Sequence, residues 1–504
     1  MSETTFPIFD DQTKTFRMIP YVKQFFIDTI TPIEVFRKLE REAVFLLESK
    51  DEASPWSRYS FIGLSPRYRI IETRKTYRFL DAAQNVLLED RHLPGIFQKV
   101  MDWLRPGDPH VDLPFKGGAV GVVPYDTVEK FRSQLSSPYH ENEKERVTLL
   151  FCETLIAFDH VTKELTFIHY NSNEMAASNV RYKESQAKVN QYMHKIIESK
   201  QDHSYSRPMM LQKEVDFKKV CSNYSKEKFE QDVRTIQSYI ETGEIDQAVL
   251  SQRFEREITV SGFDIYRALR MINPSPYLFY LKLEKTEVVG SSPERLIQVK
   301  NRQMEIHPIA GTRKRGKSDR EDQQLAQDLL QDKKEIAEHQ MLVDLAKEDI
   351  AKVAEKGTIE TPTLFEIGKF SHVMHIISKV TGKLAATVQP IEALASAFPA
   401  GTVSGAPKER ALEILNQLEK EPRGIYAGAV CYIDFAGNID SCIAIRTVVI
   451  ENDRAKVQAG AGIVKDSIPE KEYEETKNKA MALLTAIEAA EVLFGNKEEE
   501  REHV

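Results

Sequence analysis

Between residues 58 and 170 one apolar run of strand length follows another, at 58–63, 68–71, 117–124, 148–159 and 165–170, with turn residues between them. That stretch is committed to a sheet with few helices. Beyond residue 215 the pattern changes, and long charged helices alternate with apolar strands. Ser225, with Glu227 in the next turn, opens a helix to about Thr242 that Gly243 stops. Residues 245–253 and 275–283 read as strands, 304–310 leads into a basic glycine-bounded turn at 311–316, and 319–355 reads as one long helix. A strand at 370–380, helices within 391–398 and at 408–418, and strands at 427–435 and 441–451 follow. Strands and helices mixed without strict alternation predict an α+β fold with antiparallel sheets rather than a doubly wound one.

A chain of 504 residues exceeds what one growing core holds, so two interlocked halves are expected, a β-rich 15–200 and a second half at 216–490. The linker-like stretch 201–208 marks the boundary. A net charge of −8 argues against nonspecific nucleic-acid binding, which needs a basic surface. No apolar run has the length of a membrane span, and the first residues lack a basic, apolar leader, so the expected compartment is the cytoplasm. The four cysteines, Cys152, Cys221, Cys431 and Cys442, show no C-x-x-C spacing and read as reduced, mostly buried thiols.

The chemistry concentrates near the C-terminus. Residues 457–464 are strand-like but carry Gly460 and Gly462, which invite something to approach the backbone closely. Pro469 then opens a helix on which Glu472, Glu475 and Lys479 share a face. Glu335 and Glu338 repeat the same i, i+3 carboxylate spacing within 319–355. Two such pairs facing each other would suit Mg2+, although a solvated helix face has the same appearance. His372 and His375 fall on opposite faces of a strand, and either is a candidate to move a proton near neutral pH. Arg446, in an otherwise apolar run, needs a planar anionic partner. Gly311 with Thr312, and Gly401 with Thr402, offer backbone donors and hydroxyls to an anion.

Taken together, Pro308-Ile-Ala-Gly-Thr-Arg313, Ala337-Glu-His-Gln-Met-Leu-Val-Asp344, Phe398-Pro-Ala-Gly-Thr-Val-Ser-Gly-Ala-Pro-Lys408 and Gln458-Ala-Gly-Ala-Gly-Ile463 resemble the chorismate-binding enzymes, in order and spacing over most of the chain. The resemblance implies two halves packed round one deep site, with Mg2+ between protein carboxylates and the ring carboxylate of chorismate. It assigns the metal to Glu338 and Glu475, helped by Glu335 and Glu472 through water. It assigns substrate binding to Gly311, Thr312, Tyr426, Arg446, Gly460, Gly462 and Lys479, with Thr402 beside them. Relatives that add water carry a lysine where Gln247 stands, and a neutral amide cannot serve as that base. Ala310 likewise lacks the nucleophilic lysine of many aminodeoxychorismate synthases.

What remains resembles the large subunits of anthranilate synthases, which add ammonia to chorismate and then release pyruvate. In that reading Glu294 is the acid for the departing C4 hydroxyl, and His375 belongs to the pyruvate-releasing step. With no Gly-x-Cys-x-Gly turn in the chain, a separate glutamine amidotransferase subunit is expected to supply ammonia. Leu46-Leu-Glu-Ser49 and Asn273-Pro-Ser-Pro-Tyr277 resemble the family's L-tryptophan pocket, implying an effector site of Glu48, Ser49, Arg58, Pro276, Tyr277, Val430 and Tyr432, and feedback inhibition through it. The chain departs from the family pattern at Lys347, Glu348 and Ala351, and at Asp246 and Ala248. Two alternatives stand beside this reading: within the same enzyme class a lysine-free aminodeoxychorismate synthase subunit, and, suggested by Lys347 and Glu348, a catalytically impaired tryptophan-binding protein.

Overall fold

The computed structural model describes residues 3–50, 55–74, 76–132, 146–172, 174–198, 215–216, 219–370 and 373–495. The expected linker 201–208, the charged tail from 497 and His372 lie outside the described residues.

Two long neighbouring strands, Tyr59–Glu72 and Thr148–Asp159, organise the rest. Their register shifts between Pro66 and Tyr68, and the two ends of the pair enter different sheets. On one side the ladder runs Ile19–Phe26, Glu164–Asn171, Thr148–Asp159, Tyr59–Glu72, Ala43–Glu48, Tyr277–Lys282, Thr286–Ser292, Thr447–Glu451, Arg454–Ile463, Gln247–Glu257. On the other it runs Val86–Asp90, Tyr77–Asp81, Tyr59–Glu72, Thr148–Asp159, Gly118–Val123, Ala429–Asp434, Ile439–Ile443, Arg295–Lys300, Gln303–Ile306, Val373–Lys383. Strands Ile309–Lys314 and Glu360–Lys369 pair with Val373–Lys383. All of these pairings are antiparallel, and with the helices they make the fold α+β. Each ladder crosses from the first half to the second, at Leu47 opposite Phe279 and at Gly121 opposite Cys431, so the halves share both sheets.

Strand alternation sorts the core. In Tyr277–Lys282, Phe279 and Leu281 face a cluster that includes Val122 and Val430 from the second ladder. Leu278 and Tyr280 face the opposite way, onto Tyr266 and Leu269 of helix Gly262–Ile272 and Leu484 and Ile487 of helix Pro469–Phe494. One sheet is therefore packed on both faces.

The structure revises the expected elements in places that matter for the site. The single helix expected over 319–355 is two helices, Asp319–Gln331 and Lys333–Ala351, broken at Asp332. Asp332 is extended (φ −70°, ψ 104°), and its carboxylate accepts from the Lys334 and Glu335 amides, a cap whose charge pattern alone looks like ordinary helix interior. The basic turn at 311–316 is mostly strand, with an irregularity between Ala310 and Arg313. Arg446 does not lie within a strand: it sits at φ 51° between Ile439–Ile443 and Thr447–Glu451, which were expected as one run. Helix Leu93–Leu104 and strand Glu360–Lys369 were not anticipated. All four cysteines are free, with Cys431 and Cys442 buried but Cys221 exposed.

Candidate active site

The break at Asp332 puts Glu335 in the first turn of Lys333–Ala351, with Glu338 one turn further. Pro469 does the same for Glu472 on the last helix. Both carboxylate pairs thus occupy helix N-terminal regions, where the backbone dipole favours negative charge. The pairs are close enough to feel each other. Burial raises the affinity of Glu338 for its proton, and the charges of Glu335 and Glu475 raise it further. Burial likewise raises Glu472, and Glu475 adds to the effect. Lys334 and Lys479 oppose both shifts.

Lys479 bridges this acidic group to the glycine-bearing strand, pairing with Glu475 at 2.8 Å and donating to the Gly460 carbonyl at 2.9 Å. The glycines there let their neighbours approach closely, Gly460 against fixed groups and Gly462 against the movable end of Gln247. A Cβ on Gly460 would lie 2.9 Å from the Tyr426 hydroxyl, and one on Gly462 would lie 2.5 Å from Nε2 of Gln247. Gln247 is the first residue of strand Gln247–Glu257, opposite Ala406 in the short strand Gly405–Ala406.

Glu294 follows strand Thr286–Ser292, and burial pushes its carboxyl up to about 7. The Thr402 hydroxyl and the Lys479 charge pull it back only in part. Thr402 sits in the short turn Gly401–Val403, and its hydroxyl is buried without a well-aligned hydrogen bond among the described residues.

Gly311, at φ +65°, links the acidic helix to the imidazole. A Cβ there would meet Glu335 Oε2 at 3.1 Å, while its carbonyl lies 2.8 Å from Nδ1 of His375. A carbonyl can only accept, so Nδ1 carries the proton and Nε2 presents a lone pair. The Thr312 hydroxyl lies 3.1 Å from the same Nδ1.

Arg446 completes the arrangement. Burial weakens its hold on its proton, the single cause of its shift, and no hydrogen bond or ion pair reaches its guanidinium among the described residues. It lines a cavity of about 540 Å³ with Lys471, Glu474, Glu475, Asn478, Lys479 and Ala482. A half-buried guanidinium without an acceptor, at the edge of a cavity, is a place for an anion from outside.

Among the described residues no three His, Cys, Asp or Glu side chains converge into a ready metal cage. The donor chemistry nevertheless fits a hard cation. Glu338, Glu335, Glu475 and Glu472 are oxygen donors held near one another against their mutual repulsion, and Mg2+ takes part of its coordination from ligand oxygens and water.

The residues expected to form an effector pocket divide between the core that lies between the two ladders and the outer, helix-covered side of the first. Tyr277, Val430 and Tyr432 pack against the core between the sheets, with Pro276 next to Tyr277. The Tyr277 hydroxyl donates to Asp440 at 2.9 Å and accepts from Arg295 Nε at 2.8 Å. Glu48, opposite Leu278, faces the helix side, where it accepts from Ser60 (2.9 Å), Tyr266 (2.6 Å) and Arg270. Ser49 follows Glu48 at the strand end, and Arg58 pairs with Asp159.

Lys334, Ser467 and Arg313 escaped the sequence reading. Lys334 opposes the shifts of Glu338 and Glu472, Ser467 hydrogen-bonds Glu472, and Arg313 reaches Asp332 at 2.9 Å. Only Ser467, just before a proline-initiated helix, carried a local signal. The departures at positions 344–351 point mostly outward: Lys347 pairs with Asp344 at 3.6 Å, and Glu348 and Ala351 are exposed. Asp246 is exposed and Ala248 is buried in the ladder against Ile463.

Residues 42–485 match the family described as chorismate binding enzyme. Anthranilate synthase component 1 of Geobacillus stearothermophilus is 49% identical, over 96% of this chain and 97% of its own length. That of Bacillus subtilis is 47% identical, over 95% and 94%. Among solved structures, anthranilate synthase component I from Streptococcus pneumoniae superposes with a TM-score of 0.74 at 33% identity, covering 91% of this chain and 98% of that one.

Proposed function

The chain belongs to the chorismate-binding enzymes, and from that premise we propose that it is the large subunit of an anthranilate synthase, converting chorismate and ammonia to anthranilate and pyruvate. The observation that carries this reading is Arg446, a guanidinium without an acceptor among the described residues, beside a cavity large enough for a small dicarboxylate. Lys479 and the Tyr426 hydroxyl stand across the glycine-bearing strand to receive the remaining polar groups of the substrate.

In the first step ammonia attacks C2 of the ring, the double bonds shift, and the C4 hydroxyl leaves. Glu294 supplies the proton that makes the leaving group water, and burial keeps its carboxyl protonated near neutrality. Gln247, a neutral amide over Gly462, provides no base to activate competing water. In the second step a proton leaves C2, the C3–O bond breaks so that the ring becomes aromatic, and the enolpyruvyl group departs as the enolate of pyruvate, which takes up a proton at its methylene carbon. His375 is suited to take that proton at Nε2, because its Nδ1 hydrogen is held by the Gly311 carbonyl. Mg2+ held by Glu338 and Glu475, with Glu335 and Glu472 in support, would neutralise the ring carboxylate and draw electron density from it.

The same reading makes the protein a cytoplasmic enzyme of tryptophan biosynthesis, fed ammonia by a glutamine amidotransferase subunit and inhibited by L-tryptophan. No described helix is long and apolar enough to cross a membrane. The test is anthranilate fluorescence from the purified chain with chorismate, Mg2+ and ammonium, with and without tryptophan. Fluorescence that requires Mg2+ and falls with tryptophan is expected. Chorismate consumed without fluorescence or pyruvate would indicate a 4-amino product, and no consumption would contradict the proposal.

A further inference from the structure

Near the proposed site lies a fully enclosed arginine with partners of its own, Arg423. Arg423 is 4% exposed and makes four hydrogen bonds of 2.7 Å. Nε and Nη2 grip both carboxylate oxygens of Glu419, Nη1 donates to the Val403 carbonyl, and Nη2 also donates to the Val249 carbonyl. The guanidinium lies 4.5 Å from the ring centre of Tyr125 and 5.9 Å from that of Tyr426.

Each contact leads to a residue of the proposed site. Val403 follows Thr402, whose hydroxyl stands beside Glu294. Val249 is two residues beyond Gln247, and its amide donates to the Ser404 carbonyl at 2.9 Å, stitching the same two segments again. Tyr426 holds its hydroxyl against Gly460. Glu419 also accepts from the amide and hydroxyl of Ser251 on that strand, at 3.0 and 2.9 Å. The first half of the chain closes the other side: the Asp126 carboxylate accepts from the Gly424 amide at 2.8 Å, and the Tyr125 amide donates to the Gly424 carbonyl at 2.8 Å.

We propose that Arg423 is a positioning residue for the reaction: its planar fork fixes the Thr402 turn, the Gln247 strand and Tyr426 relative to one another, without touching the substrate. The inference rests on the functional reading above. A guanidinium is required because the acceptors are a carboxylate and two separate carbonyls lying round one plane, and an ammonium cannot meet all of them from one point. The full burial of the group means that water does not replace a missing donor, so a lost bond leaves a carbonyl unpaired and the turn free to shift. Small displacements of catalytic groups cost rate far more than they cost binding through other groups.

The experiment compares wild type with Arg423→Lys in the ammonia-dependent reaction, reading kcat and chorismate KM separately on folded protein, together with the melting temperature. The expected result is a fall in kcat of about 100-fold with KM within about threefold of wild type, because Arg446 and Lys479 remain in place. Restoration of kcat in Arg423→Ala by added methylguanidine, but not by methylamine, would support the proposal independently. Glu419→Gln, which keeps the volume and loosens the grip on the fork, is expected to show the same split more weakly, and serves if the lysine variant does not fold. Variants that melt lower while keeping wild-type kcat, or variants none of which folds, would assign Arg423 to structure and overturn the proposal. Wild type inactive with ammonia would instead sink the functional reading, and would be seen before any variant is compared.

Discussion

Two arginines of this chain sit in neighbouring regions under opposite arrangements. Arg423 has four of its five N–H groups taken up, by one carboxylate and two carbonyls, and tyrosines lie near it. Arg446 is half-buried without an acceptor among the described residues, and the backbone that carries it is held left-handed at φ 51°. A buried charge with its partners inside the protein is part of the scaffold. On the proposed reading, one held without them is kept for a ligand, at a cost in stability. Glu294, Glu338 and Glu472 lean toward the pattern of Arg446, since burial opposes the ionised form of each and Thr402 at Glu294 and Ser467 at Glu472 offset it only in part. Glu48 follows that of Arg423, with Ser60, Tyr266 and Arg270 around its carboxylate.

The comparison breaks hardest at Glu294. Glu294→Gln removes the proton donor and is expected to lower kcat by about 1,000-fold, within the usual range for a lost general acid. In wild type the kcat contribution of this group should fall as pH rises through about 7, where the carboxyl loses its proton, and a pH–rate profile would show that limb. The stability sign is the reverse of the usual carboxylate. A pKa raised on folding contributes stability below the unfolded value that is lost as pH rises through the folded one. At pH 8 the glutamine variant should therefore melt higher than wild type although it is nearly inactive.

Next in size, Arg446→Gln is expected to lower kcat/KM for chorismate by about 100-fold, the loss of charge-assisted bonds to a carboxylate. Steady-state kinetics at saturating ammonium would show it. Glu338→Gln should raise the Mg2+ concentration for half-maximal activity by about tenfold, as loss of one oxygen ligand implies, and a titration after chelation checks it. A variant that keeps full Mg2+-dependent activity would remove Glu338 from the metal assignment. At the small end, Glu348→Ala should change kcat less than about twofold, because the side chain is exposed and solvent screens it.

Much of this was legible in the sequence where local rules govern. Ser225 caps helix Lys226–Glu241 and Gly243 ends it at φ +77°, as their residue types dictate. Helix Lys408–Leu418 and strand Thr148–Asp159 stand at the predicted ends for the same reason. The breaks were harder. Asp332 lies in a charged run that reads as helix interior, yet it caps the second helix through the Lys334 and Glu335 amides while Arg313, distant in sequence, also meets its carboxylate. Arg446 read as strand because its neighbours are apolar, whereas its backbone is left-handed and ends the run there. In the site, the carboxylate spacings showed which side chains share a helix face. They carried no information on whether the two helices meet, or on which face of the sheet Glu48 would point to. The clamp at Arg423 was invisible, since Val403 and Val249 join it through carbonyls, which every residue type presents alike.

The central claim, that Arg446 is held short of partners for the substrate, is tested most directly by thermal unfolding of wild type and Arg446→Gln, each with and without chorismate and Mg2+. The account predicts that without ligand the variant melts at or above the wild-type temperature, since an uncompensated buried charge has been removed, and that chorismate stabilises wild type while leaving the variant nearly unmoved. A variant that melts lower than wild type yet keeps the full chorismate-induced shift would contradict it, and would place Arg446 in the scaffold with Arg423.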